Sequence, residues 1–176
     1  MKIISIIILG VLFNFLSYGQ TNDSYTVDPS KPESVVKAIF HAAANSDFNV
    51  LEGLCDPQNS GDDDTKMICL LSHAPVIKDS SSFYSMAISE FENDSLPFDT
   101  VKKEVQEVLT EFRPQFIEMF KKGEIVGETK YRTGVESIPD IPAATVPIQY
   151  MDPDGQVIND SVLLINREGK WYLMGI

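Results

Sequence analysis

Apolar residues recur along this chain first at helical and then at alternating spacing, and the change falls near residue 124. Val35, Val36, Ile39, Phe40 and Ala43 share one stripe, which predicts a helix over about 31–45. It opens on Ser30-Lys31-Pro32-Glu33, a capping hydroxyl three residues before a Glu, with Pro in the first turn where its missing N–H costs nothing. Asp47 then recaps the chain, and Val50, Leu51 and Leu54 predict a short second helix ending near Cys55-Asp56-Pro57. From Pro57 to Thr65, Gly61 and the run Asp62-Asp63-Asp64 predict a loop, since turn residues and like-charge repulsion both oppose regular structure. Met67, Ile68, Leu70 and Leu71 predict one or two helical turns. Between Ser80 and Phe91 the pattern suits either a strand or a helix, and the helix is preferred.

The longest stripe follows: Val101, Val105, Val108, Leu109, Phe112, Phe116, Met119 and Phe120 keep one face for more than five turns. Pro114 interrupts it without shifting its phase, which predicts a kinked but continuous helix. Lys121-Lys122-Gly123 closes it, with basic residues at the negative end and a glycine able to turn left-handed. Beyond it, strands are expected at about 124–132, 144–151, 156–166 and 170–176. Asp152-Pro153-Asp154-Gly155 and Glu168-Gly169 are the turns between the last three. Helices first and a meander last predict an α+β fold, N-terminal helices packed on a C-terminal antiparallel sheet of about four strands.

Lys2 and the apolar run Ile3 to Leu16, followed by Ser17-Tyr18-Gly19, form a signal peptide, with cleavage expected after Gly19 and export to the periplasm or beyond. The run is too short for a membrane span, and no second run could supply one. Residues 20–29 are polar and are expected to be a flexible leader, leaving 30–176 as a single domain. Net charge is −12 with the leader, 14 basic against 26 acidic residues, and −13 once Lys2 is lost (13 − 26). No basic stripe offsets this, so nucleic acid is excluded as a partner on electrostatic grounds.

Two stretches resemble the NTF2-like superfamily of cone-shaped α+β domains, in particular its small secreted bacterial members of the SnoaL-like kind. One is Pro32-Glu33-Ser34-Val35-Val36 running through Phe40 to Asn45-Ser46-Asp47-Phe48, similar to the opening helix, polar break and second helix; the other is Gly169-Lys170-Trp171-Tyr172-Leu173, similar to the closing strand. The resemblance implies a conical pocket between sheet and helices, but no reaction. Alignment with the steroid-isomerase pattern puts Ile39 where those enzymes carry an oxyanion-stabilising Tyr, and an apolar side chain cannot donate to a developing enolate.

Phe40, Phe112, Tyr131, Tyr150 and Trp171 lie on stripes or strands that face the sheet–helix interior and are the candidate pocket-lining residues, with plain core packing as the competing reading. Cys55 and Cys69 enclose about fifteen residues and are the candidate disulfide; two buried thiols are the alternative. His41 and His73 lack zinc-ligand spacing. The string from Asp56 has glycine at the sixth position of a calcium loop but Met67 where a bidentate Glu is required, so neither a metal nor a cofactor is expected. Asn22, Asn93 and Asn159 each begin an acceptor triplet for glycosylation, read as chance. These features point to a non-enzymatic module binding an apolar small molecule or a protein, with homodimerisation through the sheet as a further option. The alternative is a small hydrolase or isomerase using a pocket carboxylate with Tyr131 or Tyr150.

Overall fold

The structure is a computed structural model and describes residues 25–58, 61–72, 98–136 and 138–176. The expected signal peptide at 1–19, the ambiguous segment at 80–91, and His73, Asn22 and Asn93 lie outside these residues. The described chain forms α1 (Pro32–Asn45), a 3-10 turn (Phe48–Leu51), α2 (Asp63–Leu71), α3 (Phe98–Phe120) and strands β1 (Glu124–Ile125), β2 (Lys130–Arg132), β3 (Ala143–Met151), β4 (Val157–Arg167) and β5 (Lys170–Gly175). It is α+β, with the helices preceding an antiparallel sheet.

Pro32 occupies the start of α1 as expected, but Ser30 does not cap it. Lys31 is the N-cap and its side chain makes no capping bond. The Ser30 hydroxyl instead donates to Asp28 Oδ1 (2.6 Å), and the Asp28 N–H reaches the Ser34 hydroxyl (2.9 Å). The second element is a single 3-10 turn rather than an α-helix, capped by Asp47, which accepts from Asn49 N–H. The acidic run is also corrected: Asp62 accepts from the Thr65 N–H at 2.8 Å and caps α2, while Asp63 and Asp64 fill its first turn. There the positive end of the helix dipole and the unbonded N–H groups favour carboxylates, which outweighs their mutual repulsion.

Helix α3 runs unbroken through Pro114, whose ring is exposed, so the carbonyl it leaves unmatched is on the solvent side. Val105, Leu109, Phe116 and Phe120 are buried along its inner face, but Val108 is 46% exposed. Gly123 does not turn left-handed; it is needed because a β-carbon there would stand 2.4 Å from the ring of Phe40.

The expected first strand divides into β1 and β2, both paired with β3, so the sheet has five strands. The cause is Pro147. Val126 N–H donates to the Pro147 carbonyl (3.1 Å), so the polar groups of residue 147 face this edge, where proline has no N–H to return. The gap is bridged from elsewhere, by the Thr129 hydroxyl donating to Glu33 on α1. The two turns form as expected, with positive φ at Gly155, Glu168 and Gly169.

Ala144, Val146, Ile148, Val162, Leu164, Trp171 and Leu173 form the inner sheet face and join Val35, Val36 and Ile39 of α1 and the α3 stripe in one core. The outer face carries a smaller cluster, Ala143, Ile165 and Met174, covered by Val135, Ile138 and Ile141 from the β2–β3 connection. Residues 25–29 are not free of the domain: Tyr25 and Val27 pack against the main core, and the Pro29 carbonyl accepts from Trp171 N–H (2.8 Å).

Cys55 and Cys69 form a disulfide, their Cα atoms 5.9 Å apart and 14 positions apart in sequence. Closing a loop of that size removes freedom mainly from the unfolded chain and contributes about 3 kcal/mol. Urea titrations with and without reductant should therefore differ by about 3 kcal/mol, and the Cys55→Ser, Cys69→Ser double variant should match the reduced chain.

Candidate functional site

The five aromatic candidates separate into two groups. Phe40 and Tyr150 meet at Phe120, with ring centroids 6.4 and 4.9 Å from it, and Phe112 lies 6.2 Å from Phe116. Phe116 in turn touches Phe120 (5.1 Å) and Phe48 (5.9 Å), making a continuous aromatic column between helices and sheet. Tyr131 and Trp171 form the second group, 5.9 Å apart. Strands β3 and β4 separate these two residues, so their contact requires a strongly curled inner face, and small Ala144 beside Tyr131 leaves room for it. Trp171 is buried whereas Tyr131 is 64% exposed.

Burial raises the phenol pKa of Tyr150 above its ordinary 10.0, and the negative charges of Asp160, Asp64 and Asp152 raise it further. Free tyrosine in the unfolded chain ionises first, so stability is present below about pH 10 and is lost as pH rises through the folded value. Asp160→Asn should bring the Tyr150 ionisation closer to that of an ordinary tyrosine in an ultraviolet pH titration.

His41 is half-buried and stacked on Tyr25 at 4.0 Å, with Asn45 Nδ2 3.3 Å from its Nδ1. Asp56 and Thr65 are the buried polar side chains among the described residues. Asp56 accepts from Arg167 at both oxygens (Nε 2.8 Å, Nη2 3.0 Å) and from the Gln58 N–H (3.2 Å). This is a bidentate pair in a dry setting, committed to structure.

Among the described residues, clefts also lie away from the aromatic column. One, about 340 Å³, opens between the C-terminal half of α3 and the β3–β4 turn, with Gln115, Glu118, Lys122 and Met151 in its wall. Lys121, also on it, is paired with Glu118 at 2.7 Å. The larger, about 640 Å³, crosses the outer sheet face. Val135, Leu163 and Met174 give it an apolar floor, Arg132, Glu136 and Asp62 carry charge at its sides, and Gly61 and Gly175 leave backbone bare. At one end of this cleft Asp62 N–H donates to the Met174 carbonyl (3.0 Å) and thereby moors the start of α2 to β5.

Sequence reasoning weighted the aromatics and passed over Arg132. The available signal was the alternation Lys130-Tyr131-Arg132, which puts both cations on the sheet face opposite the tyrosine. Among the described residues, no group of three or more His, Cys, Asp or Glu side chains is placed to hold a metal ion. No helix of the described residues is long and apolar enough to cross a membrane. No protein-family model, curated protein or solved structure matches this chain.

Proposed function

We propose that the chain is an exported, non-enzymatic binding module with an NTF2-like arrangement, meeting its ligands on its outer clefts rather than in the space between sheet and helices. The observation that carries this reading is the aromatic packing between helices and sheet. Phe116 is fully buried there, with Phe48, Phe112, Phe120 and Tyr150 in an unbroken chain of ring contacts. A hydrolase or isomerase working inside such a cone needs a carboxylate whose charge is exposed to substrate. The buried carboxylate among the described residues, Asp56, is instead held by Arg167. Helices preceding a curled meander support the NTF2-like reading, and the disulfide supports an oxidising compartment.

The experiment has two arms on the mature chain. Ester, epoxide and enone substrates are screened for turnover, and small molecules for thermal stabilisation and amide-shift changes. Stabilising ligands that perturb cleft residues, without turnover, are the expected result. Turnover abolished by Tyr150→Phe or Tyr131→Phe would establish the enzymatic alternative instead. Mass spectrometry of the exported protein should give Gln20 as the first residue.

A further inference from the structure

We propose that the outer cleft binds a short apolar peptide by its two ends, the carboxylate on Arg132, the ammonium facing Glu136 and Asp62, and the side chains over Val135, Leu163 and Met174. Arg132 carries the first part. Among the described residues no carboxylate stands within ion-pair distance of its exposed guanidinium, although Asp62 and Glu136 line the same cleft. In a chain with 26 acidic and 14 basic residues, a cation left without an acidic partner beside two carboxylates is available to a ligand. Its planar fork matches a carboxylate with two parallel hydrogen bonds, a geometry a lysine would not offer.

The two acids determine what else the ligand must carry. With one cation against Asp62 and Glu136, the cleft has surplus negative charge, which disfavours a simple anion such as a fatty acid or a phosphate. A ligand bearing both charges satisfies all three groups. Asp62 is suitably placed: its Oδ1 is taken by the Thr65 N–H, while Oδ2 lies 3.1 Å from where a β-carbon of Gly175 would stand. Glycine at 175 thus keeps that carboxylate oxygen reachable. The floor of Val135, Leu163 and Met174 offers only apolar contact, and about 640 Å³ is within the range of small-ligand sites and roomier than one amino acid needs.

The inference rests on the binding-module reading but fails separately from it, since turnover at the inner tyrosines would leave dipeptide affinity intact. The test is calorimetric titration of the mature chain with Leu-Leu, its C-terminal amide, its N-acetyl form, free leucine and octanoate. Leu-Leu should bind most tightly, and blocking either end should weaken it about tenfold. Arg132→Gln should weaken Leu-Leu about tenfold while leaving the amide unchanged, and Glu136→Gln should do the same with respect to the acetylated form. Both residues are exposed, so the variants fold, which circular dichroism checks. No binding of Leu-Leu at low-millimolar concentration, an acid-to-amide difference that survives Arg132→Gln, or leucine or octanoate binding as tightly as the dipeptide would each overturn the proposal.

Discussion

Arg167→Ala should lower the unfolding free energy by about 3–5 kcal/mol, read as a shifted urea midpoint at unchanged slope. The loss exceeds what the hydrogen bonds themselves contribute, because Asp56 cannot follow its partner into water. Its side chain is 1% exposed, against 16% for Arg167. Removing the guanidinium leaves a dehydrated carboxylate with its largest compensation gone, whereas Asp56→Ala leaves a cation long enough to swing outward, so that variant should be the milder. Replacing both residues by apolar ones of similar size should recover most of the loss, since the desolvation penalty disappears with the charges. An Arg167→Ala protein as stable as the parent would show that Asp56 finds other compensation.

Phe116→Ala should cost a similar ~3–5 kcal/mol, by removing a fully buried ring. Its neighbours Phe48, Phe112 and Phe120 belong to three separate attachments, the 3-10 turn and two other turns of α3, and cannot all collapse into the space. For a domain of this size the melting temperature should fall by ~10 °C. The vacated volume is apolar and should admit a small aromatic; benzene raising the melting temperature of this variant and not of the parent would demonstrate it. A parent chain already stabilised by benzene would mean the interior is not filled.

The arrangement of elements was legible because periodicity reports burial directly. The α1 and α3 stripes and the Asp152–Gly155 and Glu168-Gly169 turns each carry their own local signal. The disulfide was legible as a pair with the right loop length, there being two cysteines in all. What misled were signals whose sign depends on a neighbour. Asp62-Asp63-Asp64 repel one another in isolation, yet stabilise a helix that begins among them. Pro147 reads as one apolar residue in a strand until the partner on its hydrogen-bonding side is known. Of the aromatic candidates, Phe40, Phe112, Tyr150 and Trp171 pack in or against the main core while Tyr131 is largely exposed, a difference that depends on distances between elements, which no local pattern encodes. Arg132 was missed for the same reason: its isolation is a fact about the surrounding carboxylates.

The free side of β5 is already occupied, and by residues far earlier in the chain: Trp171 N–H donates to Pro29, Leu173 N–H to Leu54, and the Met174 carbonyl accepts from Asp62. Every one of these contacts spans more than a hundred residues, so the cost of closing such long loops falls on the final folding events. The core therefore seals once β5 has reached back to these earlier residues, and until then the helices pack on β3 and β4 without their last covering strand. Until that clasp is made, the segments it ties together stay pliable.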